Sequence, residues 1–105
     1  MKDGFMSKYN VLVVDDEKEI TDAIEIYLKN EDINVIKAYD GVEALNIIEK
    51  EDIHLVIMDL MMPKMDGMRA TMNIRKEKNI PIIILSAKSQ DIDKILGLNI
   101  GLMII

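Results

Sequence analysis

Three carboxylates stand directly behind two apolar runs. Asp15 and Asp16 follow Val11-Leu12-Val13-Val14, and Asp59 follows Leu55-Val56-Ile57-Met58. If they converge, they supply the oxygen ligands that suit a hard divalent cation. Electrostatics points the same way, because two carboxylates about 4 Å apart repel by roughly 4 kcal/mol at an effective dielectric of 20. A cation removes that repulsion, and without one the cluster retains a proton whose titration is shared among its members. Adjacent acids after a strand also serve as helix N-caps, so Asp15 and Asp16 alone would read as capping residues. Asp59, more than forty positions away in sequence, is what turns a cap into a candidate site.

The elements around them must bring these acids together. Both runs are short, apolar and rich in β-branched residues, as expected for strands buried in a parallel sheet, and ligands of open α/β sheets bind at the carboxyl ends of the strands. Strands are expected at 10–14, 33–39, 54–58 and 81–85, alternating with segments of helical period, which argues for βαβ units. A helix near 18–30 would bury Ile20, Ala23, Ile24 and Leu28, and one near 42–50 would bury Ala44, Leu45 and Ile48. A third near 67–77 would turn Met68, Met72 and Ile74 inward, after a loop marked by Pro63 and Asp66-Gly67. A fourth is expected over 91–98, ended by Gly97 or Gly101.

Composition bounds the class. With 105 residues, half of them hydrophobic, the chain is one small domain that buries roughly 65% of its unfolded surface. The net charge is −6 and no Lys/Arg-rich block occurs, so the chain alone lacks the term that dominates nucleic-acid affinity. It has no cysteine, no signal-peptide pattern and no apolar stretch of membrane-spanning length, so a cytoplasmic protein with no membrane association is expected. Residues 1–8 are expected to be a flexible extension and 9–105 the domain. Nine methionines without cysteine and with one histidine read as packing rather than soft-metal ligands. His54 reads as structural, Ser86 by itself as a loop serine, and Lys37, Lys64 and Lys76 as solvated surface.

Taken together, Val13-Val14-Asp15-Asp16-Glu17, Met58-Asp59-Leu60-Met61-Met62-Pro63-Lys64-Met65-Asp66-Gly67 and Pro81-Ile82-Ile83-Ile84-Leu85-Ser86-Ala87 resemble the receiver domain of two-component response regulators. Asp93-Lys94-Ile95-Leu96-Gly97-Leu98-Asn99-Ile100-Gly101 resembles the fourth-helix signature of the OmpR/PhoB type. The resemblance implies a flavodoxin/CheY-like, doubly wound α/β fold, with a parallel five-stranded sheet of order 2-1-3-4-5. It implies that Asp59 accepts a phosphoryl group from a sensor histidine kinase with Mg2+ as cofactor. Asp16, Asp59 and the backbone carbonyl of Met61 would hold the cation, with Asp15 acting through a water. Ser86 would be the switch hydroxyl, Met61 and Lys88 the positions that tune dephosphorylation, and Lys94 part of a homodimer face. Transcriptional output would need a C-terminal DNA-binding domain.

The pattern departs from the family at Leu102. Leu102-Met103-Ile104-Ile105 stands where the OmpR/PhoB type has a small residue, two acids and an aromatic, and the family's later Lys-Pro pair and fifth helix do not follow. A truncated or altered C-terminal end is therefore expected, with Leu102–Ile105 as a short fifth strand and a homodimer face lacking its last helix. Two other readings stand beside a working receiver: a fragment that binds Mg2+ without switching, and a Mg2+-dependent aspartyl phosphatase. The phosphatase reading wants Asp-x-Asp after the first strand, where this chain has adjacent acids. A phosphoacceptor domain is not expected to be an enzyme beyond slow loss of its own phosphoryl group.

Overall fold

The computed structural model describes residues 9–59, 67–86 and 101–104, with the side chains of Met68, Glu77, Ser86 and 101–104 outside that description. The chain runs β1 (Tyr9–Val14), α1 (Lys18–Tyr27), β2 (Ile33–Ala38), α2 (Gly41–Lys50), β3 (Leu55–Asp59), α3 (Gly67–Glu77), β4 (Ile82–Ser86) and β5 (Gly101–Ile104). Every expected strand and the first three helices are present, with ends shifted by one to three residues. The helix expected over 91–98 lies outside the described residues.

The strands form one sheet of order β2-β1-β3-β4-β5. The first four are mutually parallel, as expected. The fifth corrects the expectation of an all-parallel sheet, because β5 runs antiparallel to β4, with Ser86 opposite Gly101 and Ile83 opposite Ile104. The chain thus enters β5 at the same sheet edge where it leaves β4. A parallel fifth strand would require a crossover back to the opposite edge before pairing, whereas an antiparallel one requires only reversal.

The chain steps one way from β1 to β2 and the other way through β3 and β4. Right-handed crossovers then place α1 on one face and α2 and α3 on the other. The α2–α3 face holds the core: Leu12, Val14, Val56, Met58, Ile82 and Ile84 of the sheet pack with Ala44, Ile48, Ala70 and Ile74 of the helices. Opposite them, Leu55, Ile57, Ile83 and Leu85 are only half-buried. Thus β3 and β4 alternate where full burial on both faces was expected, since α1 is the one described helix on their second face.

Helix faces bring two further corrections. Met72 is 62% exposed, and α3 instead buries Ala70, Thr71 and Ile74, positions spaced i, i+1 and i+4, whereas Met72 lies about 200° around the helix from Ala70. On α1, Ala23 is exposed and Thr21 is buried, its hydroxyl donating to the Lys18 carbonyl at 2.9 Å. That bond supplies a buried polar residue with a partner at a position hydropathy alone would not choose.

Caps set the elements. Asp40 Oδ1 accepts the Glu43 N–H at 2.8 Å and Glu43 Oε1 accepts the Tyr39 N–H at 2.9 Å, a reciprocal cap at the start of α2. Its far end is closed by Lys78 Nζ, which donates to the Ile48 carbonyl at 3.0 Å. Lys37 is not solvated surface. It is half-buried mid-strand in β2, paired with Asp22 at 2.9 Å and Glu25 at 2.6 Å on α1. These acids hold the Lys37 ammonium pKa well above its usual value, Glu25 foremost. Among the described residues no helix is long and apolar enough to cross a membrane.

Candidate functional site

Strand register builds the site. Val14 stands opposite Met58, so Asp15, the next residue, leaves β1 beside Asp59 at the end of β3. The Asp15 N–H continues the ladder by donating to the Ala38 carbonyl at 3.1 Å, which holds the first acid in line with the sheet. Asp15 and Asp59 are 4% and 2% exposed, while Asp16 is open to solvent. One oxygen from each of the three lies within 4.8 Å of the others. Ligand oxygens of an octahedral Mg2+ site stand about 3–4 Å apart, from Mg–O bonds near 2.1 Å. The donor chemistry and spacing therefore fit a small hard cation, with the exposed Asp16 on the side from which it enters.

Asp15 has a second task. Its Oδ1 accepts the Glu17 N–H at 2.9 Å, turning the chain from β1 into α1, while Glu17 at the N-cap makes no side-chain cap. The bond is a turn onto the N-cap residue rather than a cap on the first amides of α1, so the expected capping by the adjacent acids is not seen for Asp15, and one of its oxygens is committed to the fold. Sequence reasoning did not anticipate this bond, although an Asp two residues before a helix start is a signal for it.

Ser86 closes β4 one step beyond Leu85, which is opposite Asp59, so its backbone stands at the same carboxyl edge. Its side chain, and Met61, Lys64, Lys88 and Lys94 entirely, lie outside the described residues. His54 is structural. Its Nδ1 accepts the Asn10 N–H at 3.0 Å while the His54 backbone N–H donates to the Asn10 carbonyl at 2.9 Å. The ring meets Tyr9 edge-on, with centroids 5.7 Å apart. This contact is at the opposite end of the strands from the acids and takes no part in the site.

A family profile described as the response regulator receiver domain matches residues 11–105. The chain belongs to that family. Among curated relatives, the regulatory protein VanRc of Enterococcus gallinarum is 46% identical over 91 residues, covering 87% of this chain and 39% of VanRc. The response regulator GtcR of Aneurinibacillus migulanus is 45% identical over 96 residues, covering 91% and 39%. The receiver thus spans about two fifths of the length of these relatives. Of solved structures, the receiver domain of the Francisella response regulator 1452 superposes with a TM-score of 0.71 at 38% identity, covering 89% of this chain and 78% of that one. The response regulator TrrA of Thermotoga maritima, in complex with Mg2+ and BeF, superposes with a TM-score of 0.71 at 30% identity, covering 85% and 94%. These likenesses agree with the fold.

Proposed function

We propose that this receiver takes a phosphoryl group onto Asp59 from a sensor histidine kinase, and that Asp15, Asp16 and Asp59 hold Mg2+ for that step. The observation that carries the proposal is the meeting of three carboxylates from β1 and β3 within 4.8 Å at the sheet's carboxyl edge. Bound there, Mg2+ neutralises charge on the transferring phosphoryl group. An Asp59 carboxylate oxygen attacks phosphorus in line, forming a P–O bond as the bond from phosphorus to the donor's imidazole nitrogen breaks and its electron pair stays with that nitrogen. The sheet fixes Asp59 for attack, because the residue is both the last of a buried strand and itself 2% exposed. Asp15, anchored by the Glu17 N–H, is suited to act on the cation through a water. Asp16, exposed, is suited to bind it directly, together with Asp59 and the Met61 carbonyl.

In the same reading Ser86 is the switch hydroxyl, Met61 and Lys88 tune loss of the phosphoryl group, and Lys94 belongs to a phosphorylation-dependent dimer face. The domain is a signalling acceptor rather than an enzyme, is of the OmpR/PhoB type, works in the cytoplasm and serves transcription through a DNA-binding domain. The TrrA complex with Mg2+ and BeF favours Mg2+ as the ion. Intact-protein mass spectrometry with Mg2+ and acetyl phosphate tests the central claim. A single phosphoryl adduct is expected, lost in Asp59→Asn; an undiminished adduct in that variant would overturn the assignment of Asp59.

A further inference from the structure

We infer that the cleft between α2 and α3 is a docking site for an acidic amphipathic peptide segment of another protein. The segment seats one bulky apolar side chain in the cleft and sets its carboxylates on Lys76 and Lys78. The cleft encloses about 290 Å³, at the low edge of the size of ligand pockets and suited to a single anchoring side chain. Its floor is apolar: Ile48 and Ile74 are 4% and 2% exposed, and the half-buried Leu45 joins them. Asn73, Lys76 and Lys78 complete it from α3 and the residue after, and Glu49 from α2. The Lys78 ammonium is held at the cleft by donating to the Ile48 carbonyl at 3.0 Å, which uses one of its three donors.

Charge selects the occupant. The chain as a whole carries −6, yet α3 and the residue after it hold Arg69, Arg75, Lys76 and Lys78 against a single acid, Glu77. Among the described residues neither Lys76 nor Lys78 is in an ion pair. At 100° per residue, Lys76 falls between Met72 and Asn73 around α3, so the 62% exposed Met72 extends the contact surface outward from the cleft. An exposed methionine is an adaptable apolar contact. An apolar anchor site with cations at its mouth and a methionine beside them complements a segment that mixes acids with bulky apolar residues. Glu49 repels a carboxylate from the α2 side, which keeps the segment's acids over α3. An anionic membrane shares this local chemistry, but it faces the whole chain, and the net −6 opposes its approach. A short segment meets only the charges within about 8–10 Å. The inference does not rest on phosphoryl transfer, so binding measured without Mg2+ or a phosphoryl donor tests it separately.

The experiment is an NMR titration of the whole chain, at low and high salt, with a short probe peptide of glutamates and leucines around one phenylalanine. The same peptide with lysine in place of glutamate is the control. The acidic peptide is expected to shift the methyl signals of Leu45, Ile48, Met72 and Ile74 saturably, and to bind less tightly at high salt, while the lysine peptide leaves them unmoved. Lys76→Glu and Met72→Gln lie at exposed positions and leave the Lys78 bond in place. Each is expected to weaken binding, Lys76→Glu by roughly tenfold, because the reversal replaces an exposed attraction by a repulsion of similar size. Should Lys76→Glu lose the dispersed spectrum of the folded chain, the salt and peptide-charge comparisons on the unmodified chain still decide. Equal binding of both peptides would overturn the inference, as would shifts elsewhere with those four methyls unmoved. So would hexanoate binding there as tightly as the peptide, which would make the cleft a site for free small acids, or phosphatidylglycerol vesicles taking up the chain while the peptide causes no shift.

Discussion

Removing one charge from the acid cluster is expected to stabilise the fold in the absence of a divalent cation. Asp15 and Asp59 are both buried, and their nearest oxygens lie within 4.8 Å. At that separation two unit charges repel by about 3 kcal/mol at an effective dielectric of 20. The exposed Asp16 is screened by water and is left out of the sum. Asp59→Asn keeps the shape of the side chain and removes its charge; the proton that the cluster retains without a cation already relieves part of the repulsion, so a gain of about 1–2 kcal/mol is expected in EDTA at low salt, which for a domain of this size raises Tm by roughly 5–10 °C. Mg2+ closes the gap. At a hundredfold excess over its Kd it stabilises the unmodified chain by about 2.7 kcal/mol through mass action, while the variant, short of one ligand, gains much less. Thermal melts of both proteins with EDTA and with Mg2+ therefore yield four midpoints: the variant higher in EDTA, and the difference closed in Mg2+. A variant that melts below the unmodified chain in EDTA, or equal Mg2+ shifts in both, would refute the claim that these carboxylates share one strained cluster.

Three further expectations come from other parts of the structure. Thr71 is buried and, among the described residues, its Oγ1 has no hydrogen-bond partner, so the isosteric Thr71→Val is expected to raise stability by about 1 kcal/mol in urea titration, and an equal loss would show that the hydroxyl is bonded after all. The Asp22 pKa is held below its ordinary value of 3.8 by its hydrogen bonds from Lys18 and then Lys37. It therefore stabilises the fold above that pH, and the contribution disappears as pH falls through the lowered value. Asp22→Asn should flatten the acid limb of a stability-against-pH curve, and an unchanged limb would count against the network. Because His54 Nδ1 accepts the Asn10 N–H, the neutral ring carries its proton on Nε2. Nitrogen-15 NMR of the ring should show that tautomer, and His54→Ala should cost about 1 kcal/mol, whereas a proton found on Nδ1 would contradict the bond.

The sequence alone determined much of the site because its signals are local. A β-branched run followed by an acid marks a strand end whatever the rest of the chain does; Asp15 and Asp59 are each one residue past such a run and Asp16 is two. The first four strands and three helices were legible for the same reason, as were the buried Ala44 and Ile48, whose periodicity is a property of the segment itself. What sequence could not supply was the direction of β5. Leu102, Met103 and Ile104 suit either orientation, and the choice depends on the edge at which the chain returns to β4. Nor could it rank residues with similar hydropathy. Met72 was expected inside and lies outside because Ala70 and Ile74 fix the rotation of α3 against the core. Thr21 is inside because its hydroxyl finds the Lys18 carbonyl. Lys37 is half-buried because α1 brings Asp22 and Glu25 over β2. The Thr21 bond is made within α1 itself, whereas for Met72 and Lys37 the deciding partners are brought into contact only by the tertiary structure. The meeting of the three acids is of the same kind: local pattern set each one at a strand end, but the register of Val14 with Met58 set them side by side.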